Sequence, residues 1–155
     1  MNDTSGEQMR RLQAQYHLRL GRRAREAGHP ELGAQEARRA VALTPQNPWA
    51  LALLGQCLMR GATPDLDGAR AALERARALD PTNGYFVRLL LDVLYAQGDA
   101  QARTEMLTWA WWAGAPVERW LPDGPPLPVA TKPAPAADRL PQTVLVPTRL
   151  EPAFA

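Results

Sequence analysis

The sequence predicts an all-α fold, a solenoid of about three helical hairpins followed by a Pro-rich, non-helical C-terminal tail. Three observations carry this expectation. Apolar residues recur at helical spacing in paired segments: Leu51, Leu54, Leu58 and Met59, then Ala69, Ala72, Leu73, Ala76 and Leu79. The pairs recur too, with Pro45 and Pro81 closing consecutive units 36 residues apart, and a period in the thirties made of two helices marks stacked hairpins. Ten of the 15 prolines fall in residues 116–155, a density that forbids a helix and favours extended chain.

Taken in order, residues 1–8 are expected to fray. The first helix is expected from about Gln8 to Ala27, stopped by Gly28-His29-Pro30, and Pro30 suits the first turn of a second helix over 30–43. Asn47-Pro48 starts the third helix, with Asn47 as cap, and leaves Trp49 at its very beginning, short of full burial. The loop Gly61–Asp67 carries two extra residues. The fourth helix begins near Asp65 or Asp67 and stops at Asp80-Pro81. Asn83 caps the fifth, over 84–96, and Gly98-Asp99 turns into the sixth, over 99–113. Two registers compete in the sixth helix: Arg103, Leu107 and Ala110 facing its partner, or Ala102, Met106 and Trp109.

Set on one frame, the units share a pattern of small and large residues. The second has Leu51, Leu54-Gly55, Leu58, Ala69, Leu73, Ala76 and Pro81. The first has His17, Leu20-Gly21, Ala24, Gly28-His29, Gly33, Ala37, Ala40 and Pro45. The third has Val87, Leu90-Leu91, Leu94, Gly98-Asp99, Arg103, Leu107 and Ala110, with Leu91 where a crossing glycine is usual and Arg103 where a small residue is usual. This pattern resembles the tetratricopeptide repeat over residues 14–114. The resemblance implies a right-handed solenoid over 9–114 that binds a peptide or helix of a partner on the inner face of each first helix. By that alignment the face is Leu18, Arg22 and Arg25, then Trp49, Ala52, Gln56 and Met59, then Tyr85, Arg88, Asp92 and Tyr95. The Lys and Asn residues of the family's carboxylate clamp are missing from these positions, so recognition of that kind is not expected. An adaptor or chaperone-like role in a bacterial multi-protein assembly follows from the resemblance.

Composition narrows the chemistry. Net charge is only +2, and Lys132 is the sole lysine among 18 basic residues. Arg10, Arg11, Arg19, Arg22, Arg23 and Arg25 make the first helix the most basic part. A solvated face, an acidic protein partner and nucleic-acid contact are the alternatives for this helix, the last weakened by interleaved Glu7 and Glu26 and the lack of Lys. Cys57 is the single cysteine, which excludes an internal disulfide, and its place in the helical pattern suits a small buried residue. His17 occupies a packing position and His29 a turn. With Cys57 they give no metal-ligand spacing, and no nucleophile elbow or phosphate loop occurs. No catalytic, cofactor or metal site is expected. No signal peptide and no run of 18 apolar residues is evident, so the chain reads as cytoplasmic, without membrane insertion.

The end of the repeat body is unusual. Trp109, Trp111 and Trp112 point about 100° apart per residue along a helix, so all three cannot face one neighbour, and Trp120 follows shortly after. One reading has the tail of residues 115–155 pack over this Trp-rich end as an intramolecular cap, making the chain a structural subunit filled by its own tail. Another has residues 142–150 dock on a second protein as an added strand. The Trp-rich end also offers a surface for self-association.

Overall fold

The computed structural model describes residues 4–115. The rest of the tail lies outside the described residues, and with it Trp120, the cap and the added strand. The chain divides into two compact units, Met1–Leu79 and Asp80–Ala155. The first holds α1 (Thr4–Glu26), α2 (Pro30–Leu43), α3 (Pro48–Arg60) and α4 (Leu66–Leu79); the second holds α5 (Gly84–Gln97) and α6 (Ala100–Trp112). Among the described residues every regular element is a helix. Sequence neighbours pack as pairs, α1 on α2, α2 on α3 and α3 on α4 in the first unit and α5 on α6 in the second, and α1 also touches α3.

The helix ends follow local chemistry. Asn47 Oδ1 accepts from the Trp49 N–H at 3.0 Å and Asn83 Oδ1 from the Tyr85 N–H at 3.1 Å, each satisfying a donor that a helix start leaves open. Asp65 does the same for Gly68 at 2.8 Å and Asp99 for Ala102 at 3.0 Å. α5 stops at Gly98, whose φ of 70° is the left-handed conformation that costs a glycine little. One expectation needs correction: residues 4–8 are helical, not frayed. Glu7 lies in that first turn, where a carboxylate complements the helix dipole.

Glycine sets how closely the paired helices approach. A Cβ on Gly33 would lie 2.7 Å from Cys57 Sγ and 3.1 Å from the Gly21 carbonyl oxygen; one on Gly55 would lie 2.6 Å from Leu73 Cγ. Ala34, Ala37, Leu53 and Cys57 form a buried cluster beside this crossing, with Leu18, Leu54 and Leu58 packed against it. Burial pushes the Cys57 thiol up from its ordinary value, as suits an inert core residue. Beside them Glu36 is buried and gripped from two sides, by His17 Nδ1 at 2.6 Å and Arg39 Nη1 at 2.7 Å. The packing position expected of His17 is therefore also a polar tie between α1 and α2.

The long α3–α4 loop is pinned to α2, since the Ala62 N–H donates to Glu31 Oε1 at 2.8 Å. That bond, and next the carboxylate's own backbone N–H, hold the Glu31 carboxyl below its ordinary 4.5. A carboxyl depressed by folding stabilises above its unfolded value, and that stabilisation is lost as pH falls through the folded value. Thermal unfolding of Glu31→Gln is thus expected to fall short of the parent at about pH 7 and to converge with it as pH falls below the folded value. A constant gap across that range would contradict the pinning.

In the second unit Phe86, Val87, Leu90, Val93 and Leu94 are almost wholly buried. Val87 and Leu91 of α5 meet Leu107 and Ala110 of α6 and Ala115 just beyond it, with Met106, Trp109 and Trp111 packed around them. This selects the register of Arg103, Leu107 and Ala110 for α6.

Candidate functional site

The clearest candidate surface lies on α5. Phe86, Val87, Leu89, Leu90, Leu91, Val93 and Leu94 are buried, while Tyr85, Arg88, Asp92 and Tyr95 are exposed. Those four recur at helical spacing, so they share one face opposite a packed one. Tyr95 is the most open, at 70 % exposure, and Tyr85 stands at 37 %. From α6, the Arg103 guanidinium carbon lies 4.9 Å from the Tyr95 ring centroid, a cation–π contact. The Arg103 side chain is half-buried and lays its guanidinium over an aromatic face. The guanidinium also adds a second positive charge near Arg88's helix face.

In the first unit the expected residues divide. Arg22 is exposed, and Trp49 keeps 43 % exposure at the start of α3. Leu18 packs into the Ala34–Cys57 cluster, Ala52 is buried, and Met59 is half-buried. Gln56 is buried too, and its Oε1 accepts from Arg25 Nη1, which joins α1 to α3. The other end of that guanidinium is 3.6 Å from Glu26. Arg25 and Gln56 therefore come together, with part of their hydrogen-bonding capacity spent on each other.

A groove of about 690 Å³ opens elsewhere in this unit, between Arg10, Arg11, Ala14 and Gln15 of α1 and the segment 43–48; no residue of the expected face lines it. Trp109 and Trp111 are half-buried in the second unit's core. Trp112 belongs to α6, but its side chain lies outside the described residues. Sequence reasoning missed the Arg103–Tyr95 stack, whose only signal was an Arg where the resemblance leads to a small residue. Among the described residues, no helix is long and apolar enough to cross a membrane. Compared with known proteins, the chain matches no protein-family model and no curated sequence.

Proposed function

We propose that the chain is a non-enzymatic protein-interaction module of the tetratricopeptide-repeat kind, an adaptor or chaperone-like protein of a bacterial multi-protein assembly. It holds a peptide or helix of a partner against the open faces of its first helices. The observation that carries this reading is the α5 row, where two tyrosines, Arg88 and Asp92 stand exposed along a helix whose other side is buried in its own core. Aromatics supply contact area at low entropic cost, and Arg gives directed contacts to carboxylates and carbonyls. Glycine-mediated approach of α1 to α2 and α3 to α4, with helix pairs closed by proline, supports the repeat architecture.

Selection of a displayed random-peptide library against the full chain tests the reading. The enriched peptide is expected to lose about tenfold or more in affinity with the Arg88→Glu, Tyr95→Ala double variant, and little with Arg38→Ala on the outside of α2. No enrichment, or binders indifferent to the α5 changes, would reject it.

A further inference from the structure

α1 carries a second line of residues that the repeat interior does not use. Met9, Leu12, Tyr16, Arg19 and Arg23 follow one another at spacings of three, four, three and four, the spacing of a helix–helix seam. All five are exposed, with Met9 at 56 % and Leu12 and Tyr16 at 60 %. They lie on the side opposite Ala14, Gly21 and Ala24, the residues α1 buries against its own unit. The seam is segmented along its length: its first half is apolar and its second half cationic. Among the described residues, neither Arg19 nor Arg23 is paired with a carboxylate.

We infer that this seam docks a helix of another protein, one with apolar residues along half its length and Asp or Glu along the rest. Charge complementarity selects that occupant. A second copy in parallel would set Arg19 and Arg23 against their own equivalents, which repel. An antiparallel copy centred on Leu12 would set Arg19 beside Ser5, which brings no carboxylate. An anionic bilayer favours cations flanking an apolar stripe. Here they continue the stripe end to end, so part of the contact would bury guanidinium where apolar area is needed. A helix with matching segments meets both halves at once, and Arg forms directed, often bidentate bonds with carboxylates. The surface is independent of the α5 row, so the two readings fail separately.

The probe is a synthetic labelled helical peptide of about five turns. It carries Leu at seam spacing in one half and Glu in the other, and versions with Gln or Lys in place of Glu serve as comparisons. Binding to the full chain is expected to be at least about tenfold tighter for the Glu peptide than for the Gln peptide. Leu12→Ala with Tyr16→Ala should weaken it by a similar factor. Arg19→Glu with Arg23→Glu should abolish binding of the Glu peptide and create binding of the Lys peptide, a swap that loss of folding cannot produce. All four positions are exposed, and helical circular dichroism of each variant checks the fold. The inference is overturned if the Glu peptide does not bind, or binds regardless of these substitutions. It is also overturned if sedimentation shows a dimer that Leu12→Ala with Tyr16→Ala dissociates, which would make the occupant a second copy. Seam-dependent binding to phosphatidylglycerol vesicles in place of the peptide would make the occupant a bilayer and would overturn it too.

Discussion

Phe86→Ala is expected to destabilise the second unit by about 4 kcal/mol. Among the described residues Phe86 is the largest of the fully buried side chains. Removing its ring forfeits the transfer free energy of the buried carbons and leaves a cavity that the surrounding side chains can close only in part. The loss should be read from denaturant unfolding, with hydrogen exchange resolved to α5 and α6. Tyr85→Ala, at an exposed neighbouring position, should cost less than about 1 kcal/mol in the same assay. A loss below about 1 kcal/mol for Phe86→Ala would mean that the ring is not packed as described.

Gly33→Val should cost about 3 kcal/mol, because the crossing of α1 and α2 leaves no room for a side chain. The nearest atoms to an added Cβ are Cys57 Sγ at 2.7 Å and the Gly21 carbonyl oxygen at 3.1 Å. The thiol can shift, whereas the carbonyl belongs to a helix backbone. Gly33→Ala should be milder, since alanine regains about 1 kcal/mol of helix propensity that glycine lacks. Combining it with Cys57→Ala should recover part of the remaining loss, a coupling that a double-mutant cycle isolates. A neutral or stabilising Gly33→Ala would show that the two helices are not held at this distance by glycine.

Much of the fold was legible because local chemistry and tertiary packing agree. Pro30, Asn47-Pro48, Asn83 and Gly98-Asp99 act through their own backbone geometry, so the helix ends they mark appear where expected. The start of α1 was not legible, since Thr4, Ser5 and Gly6 are poor helix formers and propensity alone argues for fraying. Of the candidate face, the α5 row came from the alignment that the resemblance implies, and its four residues are exposed opposite a dense apolar side. Gln56 could not be placed so well, because its burial depends on Arg25, a residue 31 positions away that reaches it from another helix. The Arg103–Tyr95 stack and the Glu31–Ala62 bond were hidden for the same reason, as each joins residues of different segments through side-chain reach that one-dimensional spacing does not encode.

The most direct measurement is amide hydrogen exchange on the full chain with and without a peptide enriched by selection. If the α5 row holds the partner, bound peptide should slow exchange in α5 around Tyr85–Tyr95. Protection confined to other helices, with that segment unchanged, would contradict it.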